Sequence, residues 1–375
     1  MMRFVYSLGL ILLLVSRTQA DGVNVALSAS VQNSARGREI VFRGTLTNNG
    51  TTKVYLNDIA TALNVGSAAA LSLKPGSFFS NVPGVLLPGE SYADDEIFRV
   101  ALSSTASSGD YRGTVAIRGG SNIFANDALA SAPFVVLSPS VTVDTIDANA
   151  SEFGPDSGTW TVSRSGGTDI ELAVPFATSG TAAAGLDYLS LLSPVTIPAG
   201  VSYATLTVMP IPNNIAQGDR TALVALTPSS DFNLAAQTNA AIVIHDKPVD
   251  QWRFEQFGAN ANDATAADEA SWSGDGIANL LKFALNLDPK NGVSAGLPAG
   301  FEMGDYLALR FSPNVNATDV SFIVEGSSDL LSWSAAKAEF VSEVGPSNIV
   351  TYRYYNLISE SERGFLRLRV LRTDL

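Results

Sequence analysis

Residues 179–188 read SGTAAAGLDY. Gly180 and Gly185 bracket a run of small residues, and the stretch closes on Asp187 and Tyr188. The strands around it are plain. Trp160 with Val162, Leu172 with Val174 and Phe176, Leu206 with Val208, Leu223 with Ala225, and Ile242 with Ile244 are each spaced by two, as half-buried strands require. Ile197-Pro198-Ala199-Gly200 is a turn that opens a long strand over Ser202–Pro210. Residues 141–247 therefore predict a run of half-buried β-strands joined by turns, with 179–188 carrying one carboxylate between them.

That segment begins VTVDTIDANASEFGPDSGTWTVSRSGG, passes through SGTAAAGLDY and VTIPAGVSYATLTVMPI, and closes AAIVIHDK. In order and spacing it resembles a Calx-beta domain, the immunoglobulin-like sandwich whose best-known members bind calcium. The resemblance implies that Glu152, Asp187 and Asp246 stand at acidic calcium positions. Elsewhere the chain departs from the family pattern. Pro212-Asn213 replaces an Asp-Asp pair, Gln217-Gly218-Asp219-Arg220 replaces Glu-Gly-Asp-Glu, and Lys247 replaces a second terminal Asp. Calcium needs six to eight oxygens. A Lys about 5 Å from a divalent ion opposes it by roughly 6 kcal/mol at an effective dielectric near 20. Two readings stay open: a scaffold with no cofactor, or one weak Ca2+ site on Glu152, Asp187 and Asp246.

Working outward, residues 1–20 predict a signal peptide, with Arg3 ahead of the short apolar run Leu8–Val15 and Ala20 at a small-residue cleavage site. The apolar run is too short to span a bilayer. The chain has no cysteine, so it has neither a disulfide framework nor a lipid-anchor cysteine. Arg3 and Arg17 fall in the signal, leaving 21 of the 23 basic residues against all 36 acidic ones, a net charge of −15. That balance argues against nucleic acid or anionic lipid as a partner. The chain reads as an exported bacterial product, placed at the cell surface, outside the cell or in the periplasm.

Residues 21–138 predict a first immunoglobulin-like sandwich. Ile40, Phe42 and Leu46 share one strand face, and Asn48-Asn49-Gly50 and Leu87-Pro88-Gly89-Glu90 are turns. The run TLTNNGTTKVYLNDI resembles immunoglobulin-like modules of exported bacterial proteins. The short joint Phe134–Ser140 predicts two sandwiches end to end, with the second over 139–248. Residues 249–298 predict a helical linker, with helices at Gln251–Phe257 and Gly276–Leu287. In the latter, Ile277, Leu280, Leu281, Ala284 and Leu285 form an apolar stripe, and Asn286 takes a left-handed cap. The region resembles a bacterial linker of pattern DxDxDGxxNLxEYALGxDP. Set against a calcium loop, Asp275-Gly276 takes positions 5 and 6, Ser271 position 1, Ser273 position 3 and Lys282 position 12, so one acid survives. Residues 299–375 predict a small β-module of four strands that leans on the linker helix.

No catalytic set emerges. Gly292–Gly296 matches G-x-S-x-G but lies in a linker, and the single histidine, His245, is in another domain as an outward-facing strand residue. One histidine and no cysteine do not make a zinc site. Trp252, Trp272, Trp333 and the run Tyr352–Tyr355 are candidates for stacking on sugars, or for packing. The fold class is all-β: tandem immunoglobulin-like sandwiches with a short helical linker and a small C-terminal β-module. The function expected is non-enzymatic: a structural, adhesive or display role. The partner would be an extracellular protein or polysaccharide. The alternative is a calcium- or carbohydrate-binding accessory module using Glu152, Asp187, Asp246 or exposed aromatics such as Trp272 and Tyr355.

Overall fold

The computed structural model describes residues 22–154, 156–258, 262–293, 295–344, 348–360 and 363–373. The expected signal peptide and Ser294 of the G-x-S-x-G match lie outside the described residues. The fold is all-β, with immunoglobulin-like sandwiches in tandem.

In the first sandwich, strands Val23–Leu27, Glu39–Asn48, Ser91–Leu102 and Leu71–Lys74 form one sheet in that spatial order. The other sheet runs Val31–Asn33, Asp127–Ser138, Gly109–Gly120, Val54–Leu63, Val85–Leu86. The expected alternation holds: Ile40, Phe42 and Leu46 are all buried. Phe42 stacks on Phe98 with ring centroids 4.7 Å apart, and Phe134 closes on both at 5.1 and 5.3 Å. Aromatic contacts at such distances add to the area they bury.

The joint is a single residue. Strand Asp127–Ser138 gives way to Ser140–Asp147 across Pro139. Asn233 holds both sides: its amide donates to Ser138 Oγ and to the Pro139 carbonyl, and its Oδ1 accepts from the Arg36 N–H. The Ala35 N–H donates to the Ser230 carbonyl, and Arg112 lies 3.4 Å from Asp169. A Cβ on Gly167 would stand 2.5 Å from Asp110 Oδ1 and from a Leu137 methyl, so only glycine lets the two sandwiches approach this closely.

The second sandwich packs Tyr203–Val208, Gly158–Ser165, Ser140–Asp147 and Asn233–Leu234 against Asn149–Ser151, Asn239–His245, Arg220–Leu226 and Phe176–Gly180. Trp160, Val162, Leu172, Val174, Phe176, Leu206, Val208, Ile242 and Ile244 enter the core as expected. One pair does not. Ala222, Val224 and Leu226 are buried, and Leu223 and Ala225 fall on the other face. The stretch ALVAL is apolar on both phases, so its own pattern does not choose. Pairing with the last strand, Ala222 opposite Ile242 and Val224 opposite Ala240, makes the choice.

The linker differs from expectation at both helices. The first spans Pro248–Phe257, because Pro248 supplies a pre-set first-turn residue, and it ends on left-handed Gly258. The second is only Asn279–Ala284. Its expected first turn is spent elsewhere: Gly276 has φ +78°, the Gly276 N–H donates to Ser271 Oγ, and the Ile277 N–H donates to Asp275. Asn286 does adopt the left-handed conformation, φ +54°.

The C-terminal module has six described strands rather than four. Ala299–Met303 and Ala338–Val344 are the additions, at the two edges of the sheet Ala299–Met303, Tyr306–Phe311, Ile349–Tyr354, Ala338–Val344. As edge strands they lack a clean apolar face (Phe340 is exposed), which is why their sequences look like loops. The module leans on the linker as expected: Phe283 and Ala284 pack with Ala317 and Val320, and Leu285 packs with Leu309, Phe311 and Val324.

A buried ionic group fastens the linker to the last strand. Arg253, fully buried, donates to Asp250, Asp268 and the Ala266 carbonyl. Arg372 of strand Phe365–Arg372 reaches Asp250 at 2.5 Å and Asp268 at 3.6 Å.

Candidate functional site: the acidic end of the second sandwich

Chain topology brings the three carboxylates together. Strand Asn149–Ser151 runs parallel to Asn239–His245, and the Glu152 N–H donates to the His245 carbonyl. Glu152 and Asp246 therefore leave the sheet at the same end. The loop after Gly180 (φ +116°) folds back through Gly185 (φ +83°), with the Ala183 N–H donating to Asp187 Oδ2 at 2.6 Å. Tyr188 beside it is buried and anchors the loop. Glu152, Asp187 and Asp246 are all buried.

One residue touches all three. Gln217 Nε2 donates to Glu152 Oε1 at 3.2 Å and to Asp187 Oδ1 at 3.3 Å, while the Gln217 backbone N–H donates to Asp246 Oδ2 at 2.8 Å. Further donors complete the set. Asn213 gives its backbone N–H and its amide to Glu152, at 3.0 and 2.8 Å. The Gly218 N–H donates to Asp246 at 2.7 Å, and Arg220 meets Asp187 Oδ2 at 2.9 Å. Lys247, also buried, bonds Asn214 Oδ1 at 3.0 Å. A calcium ion needs oxygen ligands, and here N–H groups converge on the carboxylates instead. Among the described residues, no three His, Cys, Asp or Glu side chains form a group that would hold a metal ion. In this arrangement the three carboxylates are met by N–H donors at the positions where calcium would need further oxygens.

The charge balance is uneven. Burial pushes Glu152 up to about 7, with the Asp246 charge adding to the effect and the Asn213 and Gln217 hydrogen bonds opposing it. Burial likewise pushes Asp246 up to about 6, against the N–H groups of Gln217 and Gly218. An amide satisfies lone pairs without cancelling charge.

The linker helix closes over this end. Gly218 has φ +72°, and a Cβ there would stand 2.7 Å from the Phe254 ring. His245 is, as expected, half-exposed, with Nδ1 2.8 Å from Asp219 and Nε2 3.0 Å from Asn149 Oδ1.

The loop at 271–282 has a parallel construction. Lys282, at the position of a bidentate Glu, is wholly buried and turns back into the loop. Its Nζ lies 2.9 Å from Asp275 Oδ2 and 2.6 Å from Ser273 Oγ. The Lys282 hydrogen bond, followed by those of Ile277, Ser271 and Val293, holds the Asp275 carboxyl well below the usual range.

The candidate sugar-stacking aromatics are spread among packing roles. Trp272 stacks on Phe257 at 4.5 Å, and Trp252 packs against Phe257 and Phe283. Trp333 lies under the Arg367 guanidinium at 4.3 Å, and Tyr354 is buried. Trp272 and Tyr355 keep part of their surface exposed.

Sequence reading found the three carboxylates and missed the hub. Gln217 looked like a lost ligand. The available signal was that Gln in place of Glu exchanges an acceptor for a donor of the same length. The Arg253 group was hidden by sequence distance, since Arg372 is 122 residues from Asp250.

No family model matches the chain, and no curated protein matches it. Solved structures similar to it include the apo form of the Calx CBD1 domain, at 23% identity over 28% of this chain and 96% of that one, with a TM-score of 0.25. The CBD12 structure from CALX1.2 is 15% identical over 62% of this chain and 75% of that one, TM-score 0.29. Invasin, described as a bacterial integrin-binding protein, is 11% identical over 94% of this chain and 57% of that one, TM-score 0.25. Likenesses of this size carry no functional argument.

Proposed function

We propose that the chain is a non-catalytic, exported modular protein. Its sandwiches space, display or adhere at the cell exterior, and its second sandwich stands without calcium. The observation that carries this reading is Gln217. One neutral side chain and its backbone N–H occupy the centre of Glu152, Asp187 and Asp246, and Arg220 supplies a fixed positive charge beside them. The pinned joint at Pro139 and the buried Arg253 group support the spacer role, because both fasten neighbouring parts to each other.

A second reading, a weak calcium site on the same three carboxylates, is favoured by the raised Glu152 and Asp246, whose negative charge is under-compensated. Thermal melts with chelator and with millimolar calcium separate the two. A ligand at a hundred times its dissociation constant adds about 2.7 kcal/mol. We expect superimposable melts. A calcium-dependent rise that disappears in Asp187→Asn establishes the second reading. Turnover of a polysaccharide or ester, abolished by substitution of a carboxylate, ends the non-catalytic one.

A further inference from the structure

The hairpin between strands Gly109–Gly120 and Asp127–Ser138 ends in Ser121-Asn122-Ile123-Phe124-Ala125-Asn126. Phe124 is 88% exposed and Ile123 62%. This is not a slack loop. Asn57 Nδ2 donates to the carbonyls of Asn122 and Ala125, at 2.9 and 2.8 Å. Asn122 Oδ1 accepts from the Phe124 N–H, the Ala125 N–H donates to the Asn122 carbonyl, and Arg118 grips both the side chain and the carbonyl of Asn126. These bonds fix the loop so that the Ile123 and Phe124 side chains project from a held frame rather than a slack one.

Position adds to this. Strand Asp127–Ser138 runs twelve residues from the hairpin to the joint, so the tip stands roughly 40 Å from the second sandwich, at the free pole of the first. Tyr55 pairs with Gly120 and Val54 with Leu86, which brings Leu87, 56% exposed, to the same pole. Lys53 lies over the Tyr55 ring there, a pairing suited to the headgroup level. Charge is partitioned to match: residues 22–138 carry eight basic against eight acidic residues, while residues 139–247 carry three against ten. The exposed Leu186, Leu189 and Leu192 belong to that acidic sandwich.

We propose that the Ile123–Phe124 tip inserts into the interface of a lipid bilayer, so that the neutral first sandwich contacts a membrane and the acidic remainder projects away from it. This goes beyond the spacer reading, which stands whether or not lipid is bound. The chain has no cysteine, so one introduced thiol reports on one place. The mature full-length protein is mixed with phosphatidylcholine vesicles, and with vesicles containing one-fifth phosphatidylglycerol. We expect co-sedimentation with the first and no stronger binding to the second. An environment-sensitive dye on Phe124→Cys shifts to the blue, whereas the same dye on Leu192→Cys does not. Ile123→Ser with Phe124→Ser lowers partitioning at least tenfold at an unchanged melting temperature. Absence of wild-type co-sedimentation, equal dye shifts at both positions, or undiminished binding of the double variant overturns the proposal.

Discussion

The acidic end of the second sandwich and the 271–282 loop solve one problem in two ways. One gathers three carboxylates and the other keeps a single acid, Asp275, and each satisfies them from its own chain. In the loop the filler is the Lys282 ammonium, and Asp275 is held low. In the sandwich the central filler is the neutral Gln217, and Glu152 and Asp246 are held high. Arg220 contacts Asp187, and its charge also lowers Asp246 without cancelling the effect of burial there. Filling a site with charge makes a closure that keeps its acids ionised. Filling it with hydrogen bonds makes a closure that carries an electrostatic cost at neutral pH.

The contrast breaks most sharply if acids return to the sandwich. Gln217→Glu with Arg220→Glu places five carboxylates at one buried end and removes the hub donor. In chelator this variant should lose about 3 kcal/mol in denaturant unfolding, and millimolar calcium should restore most of it. Loss without calcium rescue shows that the geometry, and not only the donor set, has left the calcium-binding arrangement. Lys282→Ala is next. It strips Asp275 of its ammonium, and hydrogen exchange should quicken over residues 271–285 while the sandwiches keep their protection. Unchanged exchange there would reduce Lys282 to a passive filler.

The third effect is pH. Glu152 and Asp246 have folded values near 7 and 6, above their unfolded values, so their ionisation opposes folding. The penalty is full above about pH 7 and is relieved as pH falls through the folded values towards about 4. Melting of the second sandwich should rise between pH 8 and 5.5, and Glu152→Gln should flatten that rise. The opposite slope appears only below about pH 4. There Asp275, and Asp329 lowered to about 2 by the N–H groups of Ser332 and Leu331, lose the stabilisation their ionised forms supply. The smallest effect belongs to Trp272→Ala. Losing the stack on Phe257 should cost roughly 1 kcal/mol, with no change on a glycan array; lost glycan binding would revive the carbohydrate reading.

Much of this was legible in the chain. Strict alternation placed Phe42, Trp160 and Ile244 in cores, and the Calx-beta-like spacing picked out Glu152, Asp187 and Asp246 before any fold was seen. Alternation failed at ALVAL, where both phases are apolar, and gave no signal over Ala338–Val344, an edge strand on which Phe340 is exposed. Helix periodicity overreached at Ile277, because serine and aspartate side chains took the backbone N–H groups that a first turn would need.

The sequence by itself determined the all-β class, the lack of cysteine chemistry and the identity of the three clustered carboxylates. These depend on local period and composition. What surrounds those carboxylates was decided only in three dimensions. A glutamine is an absent ligand in a row of residues, and becomes a hub once its amide nitrogen lies within hydrogen-bond reach of groups 30 and 65 residues away and its backbone N–H of one 29 residues away. Hydrogen bonding depends on distance and direction, which chain topology sets and spacing in sequence does not.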